Sequence, residues 1–250
     1  MKTRYAVTLP GLACSMFLFS AVAAAQAPAP APVPVNTGSF GGGIALTSGN
    51  TDTKNFNLAF SFAHDPKTRN VVKVTALYLR GTQNKVLSLD RSSLVFRDEY
   101  KLSNRTFLFG QTDYLRDKFK DIRYLFAPVG GLGYKLVNND ETKLQVSGGA
   151  GGIWEKNTGI KVKKSGSLNA GEEFSQQISS TSKITQSIGA LWKTNDFSDS
   201  LTNFSAGLTT SINKKLELKL EFLDSYKNRP PNPAIKKNDT AFVVTFLVKY

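Results

Sequence analysis

The sequence predicts an all-β fold: a transmembrane, antiparallel, up-and-down β-barrel of about twelve strands. Three observations predict it. The final segment alternates in character up to an aromatic terminus, many earlier segments share that two-residue period, and the N-terminus has the layout of a secretory signal. In the final segment Phe242, Val244, Phe246, Val248 and Tyr250 share one face, and Ala241, Val243, Thr245, Leu247 and Lys249 share the other. A period of two is the strand period. An apolar face that ends in an interfacial aromatic suits a strand whose outer side meets lipid. The segment resembles the C-terminal signal read by the barrel assembly machinery. Its five outward residues are therefore expected to act as an assembly signal. Taken alone, the segment would also suit the last strand of a β-sandwich.

At the other end, Lys2 and Arg4 precede an apolar stretch over 5–22, and Ala23-Ala24-Ala25 offers a small-residue cleavage site. Residues 1–25 are expected to be a signal peptide. Cys14, the one cysteine, would leave with it, so neither a disulfide nor a cysteine-based metal site or nucleophile is expected in the mature chain. Residues 26–37, rich in Ala, Pro and Val, read as a polyproline-type periplasmic tether. The barrel is expected over 38–250. No apolar run after the signal approaches the roughly 18 residues of a spanning helix.

Twelve alternating segments can be marked. The first, 39–47, sets Phe40, Gly42, Ile44 and Leu46 on one face. The second, 54–63, is the clearest: Phe56, Leu58, Phe60 and Phe62 oppose Asn55, Asn57, Ala59 and Ser61. The third to sixth lie near 70–80, 91–102, 105–116 and 122–136. The seventh, 143–155, puts Leu144, Val146, Ala150 and Trp154 outward and Gln145, Ser147 and Glu155 inward. The eighth to tenth lie near 165–175, 183–193 and 202–212. The eleventh, 216–226, opposes Leu216, Leu218, Leu220 and Phe222 to Glu217, Lys219 and Glu221. Registers are open in the third, fourth, fifth and eighth, where Asp98, Gln111 and Glu172 can fall on the apolar face. A bulge or an extension beyond the bilayer would accommodate them.

The connections predict the topology. Turns after even strands are short, and those after odd strands are often longer: 81–85, 156–164 and 227–237. Short periplasmic turns with longer outer loops are the usual asymmetry of such barrels. Tyr78, Tyr114, Tyr124, Trp154, Trp192 and Tyr226 would then form an outer aromatic girdle, and Tyr100, Tyr134 and Tyr250 a periplasmic one.

The formal charge of +13 suits a polyanionic envelope, an anion-attracting lumen or nucleic acid. The signal argues against nucleic acid. The topology puts Lys161, Lys163, Lys164, Arg229, Lys236 and Lys237, with Lys156 and Lys227, in outer loops. There they would meet outer-membrane lipid and lipopolysaccharide. Arg91, Arg97, Glu99, Asp113, Arg116 and Arg123, with Asp117, form a group expected in the lumen. It is either an ion-paired filling or a selectivity lining. Barrels of about eight strands are filled and those of about sixteen are open, so twelve does not decide. His64, the one histidine, is expected in a periplasmic turn without catalytic partners. The glycine run 148–152 lacks the Lys-Ser/Thr of a phosphate loop and reads as a place where a strand bends.

Three motifs carry a resemblance: Ser48-Gly49-Asn50-Thr51-Asp52-Thr53, Asp117-Lys118-Phe119 leading to Arg123-Tyr124, and Gly131-Leu132-Gly133-Tyr134. With these, nearly all of the chain from Gly38 resembles the domain-of-unknown-function 481 family, whose members are often labelled salt-induced outer membrane proteins. The resemblance implies an outer-membrane barrel and supplies no catalytic or binding residues to carry over. The expectation is a non-enzymatic outer-membrane barrel without cofactor, structural or narrowly conducting, linked to osmotic or salt conditions. A membrane-embedded enzyme and a soluble periplasmic barrel for an apolar ligand are the alternatives.

Overall fold

The structure, a computed structural model, describes residues 35–48, 53–83 and 86–250. The expected signal segment, most of the tether, and the motif residues 49–52 lie outside the described residues. Twelve strands close into one antiparallel barrel in which sequence neighbours pair and β12 seals against β1. They are β1 (Asn36–Ser48), β2 (Thr53–His64), β3 (Asn70–Gln83), β4 (Val86–Lys101), β5 (Thr106–Asp117) and β6 (Ile122–Asn138). β7 (Thr142–Asn157), β8 (Lys163–Gln177), β9 (Ser182–Lys193), β10 (Asp196–Ser211), β11 (Leu216–Lys227) and β12 (Asn238–Lys249) complete the ring. β1 begins two residues inside the expected tether. We call the end where β1 begins and β12 finishes the lower rim.

The alternation decides the faces. Phe40, Ile44, Phe56, Phe126, Leu132, Phe222, Phe242 and Phe246 are exposed on the outer wall. Asn57, Arg97, Glu99, Glu155, Lys193, Lys227 and Thr245 are buried on the inner one. The predicted strands recur with small shifts at most ends. β4 and β10 start five to six residues earlier than expected, at Val86 and Asp196, and each carries a register irregularity near that end. Strands of 12 to 17 residues exceed the roughly 9–11 needed to cross a bilayer at a tilt. Much of the sequence expected in upper loops is therefore strand. The clearest case is 81–83, which belongs to β3.

The open registers resolve. Gln111 points inward, where its amide oxygen accepts from Arg97 Nη1 at 2.6 Å. Glu172 faces outward and accepts from Gln186 Nε2 at 2.8 Å. Asp98 also faces outward, close to the lower end of β4, between Val72 and Gly110 on the adjacent strands.

Two seams shape the barrel. A Cβ on Gly41 or Gly43 of β1 would collide with the main-chain carbonyls of Phe246 and Val244 on β12. A Cβ on Gly131 or Gly151 would collide likewise across the β6–β7 seam, with the carbonyls of Gly148 and Pro128. The seams lie half the ring apart. Glycine is the residue that permits such a tight corner. The sheet therefore turns sharply along two opposed lines, and the walls between them can pack across the lumen.

Candidate functional site in the lumen

The upper half of the lumen is packed. Leu115, Ile122, Leu125 and Ala127 of β5 and β6 meet Ile153, Leu191 and Leu201 of β7, β9 and β10. Beside them Ala45, Leu79, Leu89, Ala241 and Val243 form a second apolar cluster from β1, β3, β4 and β12. A mainly polar lumen is the expectation from the sequence; the structure instead places these side chains inside, at odd-numbered strand positions except for Ile122, whose inward direction follows the register irregularity at the start of β6. In strands 9 and 10 the inward Leu191 and Leu201 sit among Ser, Thr and Asn, so the pattern marked the face as polar and concealed them.

An ion-pair square adjoins this packing. Glu155 accepts from Lys193 Nζ at 2.6 Å and lies 3.1 Å from Lys227 Nζ. Asp199 lies 2.5 Å from Lys193 and 3.3 Å from Lys227. Asn157 Nδ2 donates to Glu155 at 3.1 Å. Charges alternate around the square, so each ammonium has two carboxylates and each carboxylate two ammoniums. Lys227, expected in an outer loop, is a lumen residue: it is the last residue of β11, and its odd position points inward. Residue spacing carries no distance between β7, β9, β10 and β11, so the square is not legible in it.

The loop between β5 and β6 crosses above it. Asp117 Oδ1 accepts from the backbone N–H of Phe119 and Lys120, each at 3.0 Å, and Asp121 takes a φ of 58°. This turns Lys120 into the lumen, where it is 1% exposed. Its Nζ donates to the carbonyls of Ser225 at 2.6 Å and Lys237 at 3.3 Å, and sits 3.7 Å from Asp239. Those partners are on the β11–β12 side, half the ring away from β5 and β6. Lys120 is thus a strap across the upper mouth. Burial pushes its ammonium below the ordinary lysine range, against the attraction of Asp239.

A second network lies lower. Arg97 donates to Glu99 at 2.8 Å and to Gln111, whose amide donates to Asp113 at 2.9 Å. The Arg97 guanidinium lies 4.1 Å from the Phe109 ring centroid, a cation–π distance. Lys73 of β3 pairs with Glu99 at 2.9 Å and comes within 3.9 Å of Glu173 on β8.

Of the expected lumen charges, Arg97, Glu99 and Asp113 are brought together. Arg91 faces Asp117 separately at 4.0 Å. Arg116 and Arg123 are corrections: both lie on the outer wall. Arg116 occupies an even, outward position on β5, and Arg123 sits at a register irregularity of β6. Lys161, Lys163, Lys164, Arg229, Lys236 and Lys237 are exposed at the upper rim, with Arg229 paired to Asp196. Phe242, Val244, Phe246, Val248 and Tyr250 line the outer face of β12. The Tyr250 ring lies over Gly38, where a side chain would collide with it. His64 ends β2 rather than lying in the turn, and its Nδ1 is 2.7 Å from Asn36 Oδ1. Among the described residues no three His, Cys, Asp or Glu side chains are grouped to hold a metal ion.

The family described as "Protein of unknown function, DUF481" matches residues 41–250. The chain belongs to this family. The uncharacterized protein YdiY of Escherichia coli strain K12 is 24% identical over 207 residues, covering 81% of this chain and 78% of that protein. Among solved structures, the NanC porin aligns with a TM-score of 0.56 at 9% identity, over 86% of this chain and 100% of the porin. An outer membrane channel from Pseudomonas putida F1 aligns with a TM-score of 0.52 at 11% identity, over 88% of this chain and 97% of the channel. The DUF481 barrel described here thus shares its fold with outer membrane porins and channels.

Proposed function

We propose that the protein is a non-enzymatic barrel of the bacterial outer membrane whose lumen is closed at rest. Its role is structural, with conduction limited to a narrow path. The Lys120 strap carries this reading. A wide diffusion pore has no use for a buried ammonium that bonds the opposite wall across its mouth. The apolar clusters and ion-pair square below it support the same reading, as does the fold shared with outer membrane channels. In this orientation the lower rim faces the periplasm. The basic upper residues then face the phosphate-rich outer leaflet, and the assembly machinery reads β12. A link to salt or osmotic conditions rests on the family resemblance of the sequence alone, and is tested by protein levels after a hyperosmotic shift.

Planar-bilayer recording tests the closed lumen. The parent protein should give no steady conductance, whereas Lys120→Ala should give brief or sustained openings. A steady, porin-sized conductance from the parent would overturn the reading.

A further inference from the structure

The upper outer wall holds a cavity of about 620 Å³ at the tops of β5, β6 and β7. The lumen does not use it. Four cations line it: Arg116, Lys118, Arg123 and Lys156, together with the rings of Tyr114 and Tyr124. Asp121 is the acid among its lining residues. Arg116 is held by Asp90 at 3.2 Å, and Lys156 Nζ donates to the Ile160 carbonyl at 2.5 Å. Among the described residues, the side chains of Arg123 and Lys118 make no hydrogen bond or ion pair. Two anchored cations and two free ones therefore converge on one hollow.

What lies beneath identifies the occupant. Leu94, Tyr114, Phe126 and Trp154 are successive cross-strand partners on β4 to β7 and form one outward row. Leu94 and Phe126 are exposed, and the Phe126 and Trp154 rings pack at 6.1 Å. Arg116 and the facing pair Tyr124 and Lys156 stand just above this row. A cationic tier directly over an apolar and aromatic row matches an amphiphile with an anionic head and acyl chains. Guanidinium forks bind phosphate in two-point fashion, and aromatic rings settle at the head–chain boundary.

We infer that this cavity binds the phosphorylated headgroup of an outer-leaflet lipid, with the acyl chains lying along the row below. The inference rests on the proposed membrane placement and adds to it a defined site. That site is separate from Lys161, Lys163, Lys164, Arg229, Lys236 and Lys237, and it includes two residues the sequence suggested for the lumen and Lys156, which the sequence placed in an outer loop. The loop that seats Lys120 inside the barrel supplies Lys118 and Asp121 to this outer cavity, so a bound headgroup would also brace the strap.

Native mass spectrometry of the full chain purified in detergent tests it. The probes are a diphosphorylated glucosamine disaccharide lipid, zwitterionic phosphatidylethanolamine, and inorganic phosphate. The parent should retain the diphosphorylated lipid in preference to phosphatidylethanolamine. Arg116→Ala with Arg123→Ala should weaken that retention at least about tenfold, roughly 1.4 kcal/mol. Lys214→Ala with Lys215→Ala, at the lower rim, should leave it unchanged. Heat-modifiable migration is recorded on the same samples. A double variant that migrates as the parent and binds the lipid equally overturns the site. Displacement of the lipid by inorganic phosphate at equal concentration makes the cavity a free-anion site and also overturns the lipid assignment. A parent that stays soluble without detergent fails at the earlier step, the membrane reading itself.

Discussion

Glu155 holds the upper lumen together, because two lysines depend on it. Removing its charge leaves Lys193 and Lys227 sharing Asp199 alone, with Glu155 itself only 2% exposed. Breaking one partner out of a buried ion pair costs about 3–5 kcal/mol. Glu155→Gln should therefore lower the temperature at which the barrel unfolds on a gel-shift series. Replacing Glu155 and Lys227 together by Leu should cost less, because no charge is left unpaired. A smaller loss in the single variant than in the pair would contradict the square. Asp65, in the β2–β3 turn, offers a pH test. Burial raises its pKa, but hydrogen bonds from Lys67 and then Lys101 outweigh it, lowering the value from 3.8 to about 2. A depressed carboxylate stabilises the fold above its unfolded value, and that contribution is lost as pH falls through the folded one. Stability should thus decline between 3.8 and about 2. Asp65→Asn should be less stable at neutral pH and flatter across that window in acid unfolding followed by circular dichroism.

At the scale of elements, strands were legible and their partners across the lumen were not. A two-residue period survives even where one residue breaks it, as Asp98 does on β4, because its neighbours Arg97 and Glu99 still fix the inner face. Arg116 was misplaced because β5 carries polar residues on both faces near its upper end, so Asp113 and Arg116 looked like one cluster although their parity differs. Lys120 was invisible for another reason: its direction comes from the Asp117 turn, not from a strand period. β12 is the element whose reading is easiest to test. It closes the ring from Ser39–Lys249 to Ser48–Thr240, and Tyr250 N donates to Gly38 O at 3.1 Å. Replacing Phe246 and Tyr250 by Ser leaves these backbone bonds available but strips the outward aromatic face. The yield in cellular outer membranes should fall severalfold, while refolding in detergent is less affected. Parental yield in cells would remove the assembly role from this strand.

The whole molecule has to satisfy every strand edge, and closure of β12 on β1 does so. In a bilayer an unpaired backbone group costs several kcal/mol, so an open form of this sheet would be excluded from lipid. The two glycine seams make closure compatible with a packed lumen. Sharp corners at β1–β12 and β6–β7 bring facing walls near enough for Leu115 to join a cluster with Leu191 and Leu201. That arrangement leaves the inside held by its own contacts and the outside apolar, with Phe40, Ile44, Phe56, Phe246 and Val248 about half exposed or more. Such a surface needs lipid or detergent to cover it, since exposed apolar patches beyond a few hundred Å² are rare on soluble proteins. The protein should therefore fractionate with the outer membrane and require detergent for extraction. It should also migrate faster on gels before boiling than after, because the closed sheet resists unfolding in mild detergent. Density-gradient separation of inner and outer membranes, with heated and unheated samples run side by side, measures both properties. Recovery in the soluble periplasmic fraction without detergent would contradict the lipid-facing assignment of the outer wall and favour a soluble barrel instead.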